Sequence, residues 1–236
     1  MERLRRATIA IAAGATIAAV IAFSVEESAA ELENLVFTAR ADHLRLVVPR
    51  PWRASEPRTY PGVALWMSRT QPPGQIVVSI EPFTRAMYCG WPIACRVGHD
   101  GLPARYACAL RSKLEAERLR VGPVQAGPKE NEAVGMPSVW FEYEDGRHYL
   151  RQAIAMSPPA DDDLVEPIKC PAAGEPALPD PPAARRRVVS LVLSAPSNDV
   201  RLTHSRAFEQ ALRTLRPLTE EEAARAGGPD AGVPDA

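Results

Sequence analysis

The feature that most constrains this chain lies at its start. Arg3, Arg5 and Arg6 precede an uncharged run, Ala7–Val25, which Glu26 and Glu27 terminate. A basic flank, an apolar run and a small-residue exit are the parts of an export signal. The basic flank stays on the cytoplasmic side, so everything downstream is expected to be translocated and to fold outside the cytoplasm. A buried core helix would carry a polar face, and this run has none. Residues 1–30 therefore read as a signal peptide or a signal anchor. As a helix the run would extend roughly 28 Å, just the hydrocarbon thickness of a bilayer. Its Ala-rich composition, with Thr8, Gly14 and Thr16, makes it a thin span. Ser28 and Ala30 stand at positions −3 and −1 for cleavage after Ala30. Removal and retention both stay open, with membrane contact through residues 7–25 if the segment is uncleaved.

Export sets the redox compartment, expected to be the periplasm or the outer face of the inner membrane. Four cysteines, Cys89, Cys95, Cys108 and Cys170, are therefore disulfide candidates. Four allow three pairings, and the sequence does not choose among them. A zinc set of Cys89, Cys95, His99 and Cys108 lacks the close Cys pairs that structural zinc sites use. The formal charge of −1 leaves no global field to attract nucleic acid. Arg greatly outnumbers Lys, a mark of GC-rich coding, so Arg185-Arg186-Arg187 reads as the solvated start of a strand and not as a phosphate site.

Residues 31–217 form one domain by pattern. Strands are expected at Leu35–Ala39, His43–Val48, Gly62–Ser68, Gln75–Glu81, Val134–Tyr143, His148–Met156 and Arg187–Ala195, with a shorter one at Val121–Gln125. Gln71-Pro72-Pro73-Gly74 and Glu144-Asp145-Gly146-Arg147 join neighbouring strands as hairpins. Leu102–Leu119 is an amphipathic helix on which Tyr106, Leu110 and Leu114 recur, and Cys108 faces away from that stripe. A second helix is expected over Thr203–Leu215. Residues 83–101 are irregular, Gly127–Asn131 is a loop, 157–184 is a long exposed loop, and 218–236 is a disordered tail. Hairpins favour an antiparallel sheet, which helices must cover, so the fold class is α+β.

Leu44–Val48 running into Pro49-Arg50-Pro51-Trp52 resembles the strand that ends in Pro and Trp near the start of PsbP-like domains. That family's usual form is Pro-x-Gly-Trp, and Pro51 stands here in place of Gly. The order of hairpin, central helix, sheet meander and closing helix is similar over residues 35–217. The resemblance implies an α/β/α sandwich around an antiparallel sheet, and a role in binding or assembly. Plant members attach to photosystem II and others bind a small GTPase. No functional residue carries over, because the family shares no catalytic motif. Segments 83–101 and 157–184 depart from a minimal domain of this kind, which makes them the places to look for local function.

No nucleophile elbow, Walker loop or dinucleotide loop is present. Glu142 and Glu144 share a strand face that reads as solvated, and Asp161-Asp162-Asp163 lacks the spacing of a calcium loop. His204 reads as a core-edge histidine bonded to a neighbour. Trp91, between Gly90 and Pro92, is the aromatic expected to be exposed for partner contact. No catalytic, cofactor-binding or metal-ligating residue is assigned. The first functional reading is a non-enzymatic, envelope-associated module that binds another envelope protein or assists assembly. The alternatives are an exported hydrolase or metal-dependent enzyme with a dispersed site near His99 or His148, and a structural envelope protein.

Overall fold

The computed structural model describes residues 35–39, 42–55, 60, 62–99, 101–157, 168–171, 186–219 and 221–222. All belong to one unit, Glu31–Ala236. The expected export segment, residues 1–30, most of the 157–184 loop with its acidic run, and the tail beyond residue 222 lie outside the described residues. Among the described residues no helix is long and apolar enough to cross a membrane.

Strands β3 (Arg53–Ser55), β4 (Val63–Thr70), β5 (Pro73–Pro82), β6 (Arg120–Val121), β7 (Gln125–Ala126), β8 (Ser138–Glu144), β9 (Tyr149–Met156) and β10 (Arg187–Ala195) form the main sheet. Its order is β3-β4-β5-β10-β9-β8-β6, with β7 also pairing β8. Every pairing is antiparallel. β10 is inserted between the two hairpins, which explains its largely apolar composition. A strand with a neighbour on each side and a packed layer on both faces has no solvent side to mark with polar residues. A smaller sheet, β1 (Val36–Ala39), β2 (Leu44–Val47) and β11 (Arg216–Pro217), lies apart from it.

Two cores divide the faces of the main sheet. On one face Leu65, Met67, Ile76, Val78, Leu191 and Leu193 pack with Leu44 and Leu46 of the small sheet and with Phe208, Ala211 and Leu212. The last three come from helix α5 (Asn198–Thr214). On the other face Phe141, Ile154, Met156 and Val188 pack with Phe83 and with Ala107 of helix α3 (Leu102–Ala116). Helices on both faces of an antiparallel sheet give the α+β class expected from the hairpins.

Local chemistry moves several boundaries. Helix α5 begins at Asn198, five residues before the expected start, because the Ser197 hydroxyl accepts from Val200 N–H and caps it. The strand expected from Val134 starts at Ser138, after a turn at Gly135 with φ 72°. Residues expected as loop contain helix α4 (Lys129–Ala133). Its Asn131 is fully buried and donates to the Leu212 and Leu215 carbonyls at 2.8 and 3.0 Å, satisfying the end of α5. The start of the expected disordered tail is tied down instead. Leu218 N–H donates to the His43 carbonyl, and Thr219 and Glu222 cap each other reciprocally. The Arg216 guanidinium, the Thr219 N–H and the Arg45 guanidinium all donate to the Glu222 carboxylate and hold it well below the usual carboxylate range.

Candidate binding surface

The segment expected to be irregular, 83–101, contains two short helices. Thr84 caps α1 (Arg85–Cys89) by accepting from Met87 N–H at 3.1 Å. Gly90, Trp91 and Pro92 turn the chain into α2 (Ile93–Val97). Gly98 ends α2: a Cβ there would stand 2.7 Å from the Ala94 carbonyl oxygen, so the chain passes too close for a side chain. Gly101, at φ 77°, then redirects it into α3.

Two disulfides fasten this insert, and they select one of the three pairings. Cys95 of α2 bonds Cys108 of α3, with Cα atoms 5.4 Å apart. Cys89 of α1 bonds Cys170, with Cα atoms 5.6 Å apart. Cys108 points away from the apolar stripe of α3 because α2 covers it from that side. Cys170 joins the insert itself and not α3. The segment Ile168–Pro171 thereby becomes a strap across the insert. The Arg85 guanidinium donates to the Lys169 carbonyl, and the Arg96 guanidinium lies 3.0 Å from Cys170 Sγ.

Trp91 corrects the expectation of an exposed aromatic. It is only 7% exposed. Its ring stands 5.0 Å from Tyr88, 5.8 Å from Phe83 and 5.6 Å from Tyr106 between ring centroids. The turn at Pro92 folds the indole back between the insert and α3, where a large apolar ring fills the space that two short helices leave. Tyr106 completes the plug. Its hydroxyl donates to Glu81 at 3.1 Å, and burial together with that carboxylate raises its pKa far above the ordinary phenol value.

The large apolar side chains exposed on the insert are instead Ile93 and Val97, at 71% and 75% of full exposure. The reason is helical phase. Cys95 must face α3 to make its disulfide, and residues two positions to either side lie about 200° around the helix from it. Ile93 and Val97 are therefore turned outward together. The sequence held this signal, but it becomes legible only once the partner of Cys95 is known.

On the opposite face of the sheet the charged groups satisfy one another. Glu142, expected to be solvated, accepts from the guanidinium of Arg151, at 2.8 and 2.7 Å, and from that of Arg201. Both arginines are 7% exposed. Arg201 also donates to Asn198, and Arg151 reaches Glu209 at 3.6 Å and lies over the Trp140 ring, 4.5 Å from its centroid. A cleft of about 250 Å³ opens beside this network, lined among others by Trp140, Arg151, Phe208, Glu209 and Arg213. Two buried cations with two carboxylates in reach form an ion-pair set that orders α5 against β8 and β9.

The histidines stay apart from one another. His204 is buried, its Nε2 3.1 Å from the Pro72 carbonyl and its ring edge-on to Trp52 at 4.9 Å, the core-edge role expected of it. His148 faces Asp145 at 3.3 Å within the β8–β9 turn. Burial alone would raise the Asp145 carboxyl, but the N–H groups of Arg147 and His148 both donate to it, and the His148 ring adds to them, so it titrates below its ordinary value. His99 is exposed, and its carbonyl accepts from Arg105. Arg187 pairs with Asp42 at 2.8 Å, which accounts for one member of the arginine triplet. Among the described residues no three His, Cys, Asp or Glu side chains come together as a metal-binding group would.

No family model matches the chain, and no curated protein does. A solved structure does. It is that of LpqN, involved in cell envelope biogenesis of Mycobacterium tuberculosis, similar at 15% sequence identity and a TM-score of 0.45 over 75% of this chain and 83% of LpqN. The PsbP-like resemblance accordingly rests on the Pro-Trp strand end and the element order alone.

Proposed function

We propose that this chain is an exported, non-catalytic binding domain whose working surface is the twice-stapled insert, residues 83–101. The observation that carries the reading is the outward display of Ile93 and Val97 on a helix that cannot relax to bury them. Cys95–Cys108 fixes the rotation of α2, the Trp91 plug fixes its depth, and Cys89–Cys170 straps its flank. Apolar side chains held rigidly in water cost little ordering entropy when something covers them, which is how a preformed contact site gains affinity. The terminal export signal and the complete pairing of the four cysteines support a working place in the periplasm or on the outer face of the inner membrane. The partner is another envelope component. The catalytic alternative has no specific observation in its favour, since His99 and His148 each stand outside any converging set.

Site-specific photo-crosslinking in intact cells tests this. A benzophenone side chain at position 93 or 97 is expected to capture an envelope component. The same probe at Leu202, 53% exposed on α5 over the other face, is not. Equal capture from all three positions, or none from 93 and 97, would remove the insert as the working surface.

A further inference from the structure

The charge around Ile93 and Val97 narrows what covers them. The chain as a whole balances its charges, with 28 Lys and Arg against 29 Asp and Glu. The insert and its strap do not. No carboxylate occurs among the described residues from Phe83 to His99 or from Ile168 to Pro171. Asp100, the acidic residue of the insert, lies outside the described residues. The same region holds Arg96, exposed Lys169 on the strap, and Arg105, whose guanidinium reaches the His99 carbonyl just past the end of α2. GC-rich coding accounts for Arg in place of Lys. It does not account for the lack of Asp and Glu among those described residues.

We infer that the insert docks on an anionic bilayer surface, with Ile93 and Val97 entering the boundary between headgroups and acyl chains while the surrounding cations meet lipid phosphates. This rests on the insert being the working surface and names the class of component it meets. Exposed apolar side chains on a short helix, with Lys and Arg nearby, are the composition of an interfacial contact. The size of the surface agrees. A stable protein interface covers about 800 Å² per partner, some 20–30 residues. Two outward side chains on a five-residue helix fall far short of that, whereas a bilayer needs only a few such points. The staples matter here too, because a helix this short does not hold its form alone.

Hydrogen exchange on the full chain in vesicles tests the inference. The chain is placed in vesicles of phosphatidylcholine alone, and in vesicles of phosphatidylcholine mixed with phosphatidylglycerol. Any contribution of the amino-terminal run is then common to both. Exchange at residues 91–99 is expected to slow by about threefold or more in the anionic vesicles only, reflecting a covered and damped segment. In the I93S/V97S variant the slowing is lost. Both side chains face water, so the disulfides and the near-ultraviolet circular dichroism should be unchanged. Arg105→Gln is expected to weaken the slowing partially. Equal exchange in the two lipids would overturn the inference, as would slowing without vesicles that grows with protein concentration, which marks a second copy as the occupant. If photo-crosslinking from position 93 then captures only protein, the insert remains the working surface and the lipid assignment alone falls.

Discussion

Gly74→Ala should destabilise the domain through a single neighbour, the His204 ring. A Cβ built on Gly74 would stand 2.5 Å from His204 Cδ2 and 2.6 Å from Nε2, with Trp52 next at 3.4 Å. Carbon atoms rest about 3.5–4.0 Å apart, so the ring would have to retreat by about 1 Å. It is not free to do so: its Nε2 bonds the Pro72 carbonyl, and Trp52 stands against it. Overpacking of this kind costs about 1–3 kcal/mol, and the Gly-to-Ala change in a strand returns about 0.5–1 kcal/mol of backbone entropy. The expected net loss is therefore about 1–2 kcal/mol. In a His204→Ala background the clash is gone, Trp52 remains at ordinary contact distance, and Gly74→Ala should be neutral or stabilising by about 0.5 kcal/mol. The assay is a double-mutant cycle by urea denaturation, with a coupling of about 1–3 kcal/mol between the sites. A Gly74→Ala protein as stable as wild type would refute the reasoning, and so would costs that simply add.

Three further expectations concern the cap, the staples and pH. Asn131→Ala should cost about 1–3 kcal/mol in denaturant, because two buried carbonyls lose donors, and Asn131→Asp should cost more by facing them with a carboxylate. Loop entropy favours the longer closure. At a sequence separation of 81, C89S/C170S should lose about 4.5 kcal/mol, against about 3 kcal/mol for C95S/C108S at 13, read as the order of their thermal midpoints. Burial lowers the His204 pKa from 6.5, the Arg69 charge adds to that, and the Pro72 and Pro73 carbonyls oppose it. The folded state thus binds fewer protons than the unfolded one. His204 contributes stability that is present above pH 6.5 and lost as pH falls below it, so His204→Gln should flatten the stability profile between pH 7 and pH 5.

The fold class was legible because its signals are local. Asp145-Gly146 between two alternating runs declares a hairpin whatever surrounds it, and the apolar stretch Val188–Leu193, interrupted only by Ser190, declares a strand with two neighbours. What was not legible depends on contacts between segments distant in sequence. Glu142 reads as solvated from its own strand and becomes a partly buried acceptor because Arg151 on the next strand and Arg201, from a helix 59 residues on, both reach it. Asn131 reads as loop and becomes a cap only because the end of α5 reaches it across 81 and 84 residues.

The insert shows the same division at the candidate site. Its cysteines, and its departure from a minimal domain, mark residues 83–101 from sequence. Which side chain faces outward is a question of helical phase, and phase has no meaning until Cys95 has a partner. Trp91 is the largest apolar group there, and an aromatic ring gains most from being buried. With α3 and Phe83 within reach, it was the residue most able to pay for its own concealment. The smaller Ile93 and Val97 were left outside by the geometry of a disulfide. A surface that is exposed because covalent bonds hold it there, and whose described residues carry no carboxylate, is not explained by folding stability. The proposed working surface is therefore tested by reading exchange at α2 with and without an anionic surface.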